Sequence, residues 1–117
     1  MKKLFVLLSL LLSFQAFSAS ADYRCGVRSY KVDLTVDGSS TAIWFYEGYD
    51  LLALGYVKWI ESKGNDKVFH FYPGNSEPVK LIFKAVDIEK LPLQMTGWID
   101  AMPRGFILWD KLSCHRI

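Results

Sequence analysis

Only two cysteines occur in this chain of 117 residues, and they stand near its two ends: Cys25 in Tyr23-Arg24-Cys25-Gly26 and Cys114 in Ser113-Cys114-His115. Two cysteines in a short exported chain read as a disulfide, because oxidising compartments make and keep the bond. Cross-linking a loop of about 90 residues removes denatured-state entropy worth roughly 4–5 kcal/mol in the chain-entropy account. That is on the scale of a small domain's whole stability. The bond also predicts that the first and last strands are neighbours, as in a sheet that closes on itself. Neither cysteine has the Cys-x-x-Cys spacing of a redox motif. Two cysteines with two scattered histidines, His70 and His115, do not make a ligand set, so no metal ion and no cofactor is expected.

Export is read from the start of the chain. Met1-Lys2-Lys3 precedes an apolar run from Leu4 to Phe17 and then Ala19-Ser20-Ala21, the basic, apolar and small-residue parts of a secretory signal peptide. Residues 1–21 are expected to be removed, leaving Asp22–Ile117 as a single β domain. The apolar run is too short for a stable span, so the mature chain is expected to have no transmembrane segment. Without a cysteine at the cleavage point, a lipid anchor is not expected either. The Met-Lys-Lys-Leu opening looks bacterial, which makes the protein periplasmic or secreted. Two of the 14 basic residues, Lys2 and Lys3, fall in the leader, so the mature part balances its 12 acidic residues. Neutrality of that kind offers no footprint for nucleic acid.

The periodicity is that of an antiparallel β protein. Tyr30–Asp37 alternates apolar and polar residues throughout, a half-buried strand, and Asp37-Gly38 is a hairpin signal. Thr41–Glu47 reads as the return strand. Leu51–Ile60 reads as a strand in spite of Asp50, which would suit the cap of a helical turn. Ser62–Asp66 is a polar turn, Val68–Tyr72 a strand stopped by Pro73-Gly74, and Val79–Val86 another. Asp87–Pro92 is a connector or short helical turn. Leu93–Ile99 follows, with Gly97 as a bulge or bend. Met102–Gly105 turns the chain, and Phe106–Trp109 begins the last strand. Seven or eight short strands at such spacing predict an all-β fold, a small antiparallel β-barrel or sandwich closed by one disulfide. The shared location of the chain ends favours the barrel. Trp44, Trp59, Trp98 and Trp109 are expected in its core.

No catalytic pattern accompanies this architecture. His70 sits between Phe69 and Phe71 and reads as a surface or cavity-edge histidine; His115 lies beside a cysteine near the terminus. There is no Gly-x-Ser-x-Gly elbow, phosphate-binding glycine loop, His-Glu-x-x-His or calcium loop. Asp33 and Asp37 lie on the solvent face of their strand, and a small barrel has little room for a glycosidase pair. No enzymatic activity is expected. Binding through a barrel mouth or a loop remains, with Gly48–Asp50, Ser62–Asp66, Pro73–Pro78 and Ala101–Gly105 as candidate loops. Ser62 and Lys63 stand out, because a hydroxyl and a cation beside a flexible Gly64 suit entry into an acidic cleft.

Tyr23-Arg24-Cys25-Gly26 and Ser113-Cys114 resemble the chain ends of the bacterial periplasmic inhibitors of C-type lysozyme, which are signal-bearing, eight-stranded antiparallel barrels. The inhibitory signature of that family, Ser-Gly-x-x-Tyr followed by Trp-x-Lys-Gly, is not reproduced. Trp59-Ile60-Glu61-Ser62-Lys63-Gly64 holds its Trp and Lys-Gly with two extra residues between them, and Trp109-Asp110-Lys111 lacks the glycine. The resemblance implies a protein inhibitor with a lysozyme-like hydrolase as partner. The alternatives are a lipocalin-like carrier of a small apolar ligand and a structural or interaction component of the bacterial envelope.

Overall fold

Each strand pairs with the one that follows it, and the last returns to the first. A computed structural model describes residues 20–37, 40–73 and 77–117. Its strands are β1 (Ala21–Val27), β2 (Tyr30–Val36), β3 (Ala42–Glu47), β4 (Asp50–Lys63), β5 (Asp66–Phe71), β6 (Val79–Lys84), β7 (Gln94–Ala101) and β8 (Leu108–Arg116). They form a closed antiparallel barrel in sequence order. Closure is made by Tyr23–Gly26 of β1 against Arg116–Ser113 of β8, with Cys25 directly opposite Cys114. The two are joined as a disulfide across a sequence separation of 89. The expected barrel and its bond are both present.

Alternation decides what faces inward. Tyr23, Cys25, Val32, Leu34, Phe45, Phe71, Leu81, Phe83, Ile99 and Leu112 are buried in one continuous core. Charged side chains on the outer wall pair locally, as Arg24 does with Asp33 at 3.3 Å, and Thr35 donates to Asp22 at 2.8 Å. Apolar-in and charged-out is the reverse of a membrane-spanning barrel. No helix among the described residues is long and apolar enough to cross a membrane.

Several expected boundaries shift. The strand expected over Val79–Val86 ends at Lys84, and a short helix α1 (Ala85–Lys90) takes Ala85 and Val86. Helical spacing then lets Ile88 and, one turn later, Leu91 cover that end of the core, which strand alternation would not. Gly97 is no bulge, because its pairing with Phe83 on one side and Leu112 on the other runs in unbroken register. Phe106 and Ile107 precede β8 as exposed residues. The Asp37-Gly38 hairpin and the Pro73-Gly74 stop involve Gly38 and Gly74, which lie outside the described residues, as does the leader up to residue 19.

The helix-covered end is locked by a buried hydroxyl. Tyr23 donates to the Pro92 carbonyl at 2.5 Å. Burial pushes the Tyr23 phenol above its ordinary 10.0, with the Arg116 guanidinium pulling the other way. The unfolded chain therefore loses this proton first as pH rises. The contribution is full below pH 10.0 and is lost as pH climbs through the raised value. Tyr23→Phe should cost about 1 kcal/mol at neutral pH. Urea titrations above pH 10.0 should show a shallower fall in stability for the variant than for the wild type.

Candidate functional site

Candidate loops divide between the two ends of the barrel. Gly48–Asp50, Pro73–Pro78 and Ala101–Gly105 join strands at the end opposite α1, of which residues 74–76 lie outside the described ones. A cleft of about 570 Å³ opens there, lined by Phe45, Leu52, Ala53, Val79, Met102 and Pro103, with Arg104 on its rim. Arg104 has left-handed backbone (φ 53) and donates to Glu47 at 2.7 Å and to Asp50 at 3.0 Å, tying the β7–β8 loop to the β3–β4 hairpin. Nearby, the backbone N–H of Lys111 and the Arg28 guanidinium hold Asp110 below the usual carboxylate range. Tyr49, Leu51, Met102, Phe106 and Ile107 are exposed around this end. Below the cleft the barrel is filled by its own side chains.

Ser62 and Lys63 lie at the other end, and not in a loop. They are the last two residues of β4, opposite Lys67 and Asp66, and the turn is the pair Gly64-Asn65 alone. Gly64 has the positive φ (64°) that a two-residue hairpin requires at that point. The tip is pinned, because the Ala85 N–H donates to the Asn65 carbonyl at 2.8 Å and Lys67 pairs with Glu89 at 3.1 Å.

β4 itself changes partners midway. Asp50–Tyr56 pair with β3, Val57–Lys63 pair with β5, and a register shift between Val57 and Trp59 marks the change. Past the Val57 N–H, which donates to the Thr41 carbonyl at 2.7 Å, the β3 side of β4 has no backbone partner among the described residues. Lys58–Lys63 are all exposed, Trp59 by 47% and Ile60 by 39%. Bulges re-aim side chains beside them. This one sets Trp59 opposite His70.

The result is an aromatic stack on the outer wall. Trp59 lies parallel to His70 with ring centroids 4.4 Å apart, and to Tyr72 at 5.2 Å. His70 is only 6% exposed, so it is roofed over and not the surface or cavity-edge histidine expected. Its Nε2 lies 3.0 Å from the Glu61 carboxylate, and its Nδ1 is buried without a partner among the described residues. A second parallel pair, Trp98 and Trp109, stands on β7 and β8 with centroids 5.7 Å apart.

None of the four tryptophans is in the core. Trp44 is half-buried and the other three are exposed, against the expectation of core packing. The phase of each strand settles this: Trp44 alternates with the inward Ile43 and Phe45, and Trp98 with Gly97 and Ile99. Among the described residues no group of His, Cys, Asp and Glu is placed to hold a metal ion. The chain matches no protein-family model, and comparison with curated proteins and with solved structures gives no match.

Proposed function

We propose that this is an exported, non-enzymatic binding protein that engages another protein through the β4–β5 arm. One observation carries the reading: the half of β4 that leaves β3 keeps Trp59, Ile60, Ser62 and Lys63 exposed while the barrel core is complete without them. Large apolar groups held outside a finished core are what protein interfaces use as anchors. The chain-end resemblance names a lysozyme-like hydrolase as the specific partner, met in the periplasm or outside the cell. Lys63 at the end of the arm suits an acidic cleft. Titration of C-type lysozyme activity against turbid cell walls tests it. Stoichiometric inhibition is expected, and Lys63→Glu should weaken it about tenfold, equivalent to roughly 1.4 kcal/mol, without lowering Tm. Full activity at excess protein would remove lysozyme as the partner.

A small ligand with an apolar body is the second reading, favoured by the cleft at the barrel mouth, whose volume falls within the range of small-molecule sites and whose apolar Phe45, Leu52, Val79 and Met102 are joined by the charged Glu77 and Arg104. Quenching of tyrosine and tryptophan emission by fatty acid or aromatic probes, abolished in Ala53→Trp, would favour it over the arm.

A further inference from the structure

The backbone of the arm presents more than side chains. In a two-residue hairpin the closing pair, here Lys63 and Asp66, exchanges both of its hydrogen bonds. Alternation then turns Glu61 towards β5 as well, and turns the N–H and C=O of Ile60 and Ser62 the opposite way. That opposite side is the one with no strand beside it among the described residues. An unpaired edge of this kind is a template for one more strand.

We propose that the edge of β4 from Lys58 to Lys63 receives an extended segment of the partner polypeptide by strand addition, and that this segment carries an apolar residue between acidic ones. The proposal rests on the protein-binding reading above and gives its mode of recognition. Side chains along the edge define the complement. Ile60, exposed on the face it shares with the buried Phe69 opposite, offers apolar contact at the centre. Lys58 and Lys63 bracket it, and neither has a carboxylate partner among the described residues, whereas the one acid of the segment, Glu61, is bonded to His70. Lysines at an edge also deter a second copy of the same strand, since pairing β4 with itself sets cationic segments side by side. An acidic strand meets no such cost. The bulge at the start of the segment and the pinning of its tip to α1 hold the edge in place before anything docks, which lowers the ordering cost of binding.

The test uses the oxidised mature protein and two capped synthetic peptides, Glu-Val-Thr-Val-Glu and Lys-Val-Thr-Val-Lys, followed by amide hydrogen exchange. The acidic peptide should slow exchange at Ile60 and Ser62 by at least about tenfold and leave Glu61, already bonded within the hairpin, unchanged. Ser62→Pro removes one outward donor without touching the β4–β5 ladder and should abolish the protection while the Tm holds. Should that variant misfold, Lys58→Glu with Lys63→Glu should reverse the preference between the peptides. Equal protection by both peptides would overturn the proposal, as would protection that grows with protein concentration alone, which would assign the edge to a second copy. Lysozyme inhibition with Ile60 and Ser62 unprotected would sink strand addition yet leave the binding reading standing. Loss of both would end the two together.

Discussion

Replacing Cys25 and Cys114 together by serine is expected to lower the unfolding free energy by about 4–5 kcal/mol, the largest single effect in the molecule. Its origin is the sequence separation of 89 residues, which makes the cross-linked loop almost as long as the folded part of the chain. A domain of this size has only about 5–15 kcal/mol in total. Urea titrations of the variant, or of the wild type under strong reductant, should therefore place the midpoint near the start of the denaturant range. An unchanged midpoint would mean that the reduced unfolded chain already holds its ends together.

Gly97→Ala should be nearly as damaging, although it adds one methyl group to a strand. A Cβ at Gly97 would lie 2.5 Å from the Ile82 carbonyl oxygen and 2.6 and 2.7 Å from carbons of the Phe83 ring. The ring occupies the space that a side chain would need, and the carbonyl belongs to the β6–β7 ladder and cannot swing away. Overpacking of that kind costs about 3 kcal/mol, which should lower Tm by roughly 10–25 °C. Scanning calorimetry would show it, and Gly97→Ala with Phe83→Leu should recover part of the loss. A single variant as stable as the wild type would show that the strands can part to admit the methyl.

Those two positions also mark how far the sequence could be read. The disulfide, the strand count and the barrel follow from cysteine spacing, strict alternation in Tyr30–Val36 and turn residues at intervals, all of them local signals. Gly97 looked like a bulge because glycine in a strand usually marks one. Its actual cause, the Phe83 ring packed over it, depends on which strand lies beside β7. The same limit applies to the tryptophans. Periodicity says that Trp44 and Phe45 face opposite ways, but in a strand apolar on both faces it does not say which way is in. Nor does any residue between Leu51 and Lys63 announce that β4 exchanges one neighbour for another. Ser62 and Lys63 read as loop beside Gly64 and Asn65, yet they are strand because the turn needs only that pair. The roofing of His70 by Trp59 required the register shift, which left no mark that the sequence alone displays.

The order of the strands has a bearing on how the chain reaches its native state. Seven of the eight pairings join consecutive strands, and such hairpins close short loops and form early. The eighth, β1 with β8, must find itself across almost the whole folded chain, so it is the slow search. The disulfide lies on that one pairing. After the first oxidation the search need never be repeated: a molecule that unfolds keeps its two end strands tethered and refolds by zipping hairpins alone. The bond thus acts as a memory of the one event in folding that is not local.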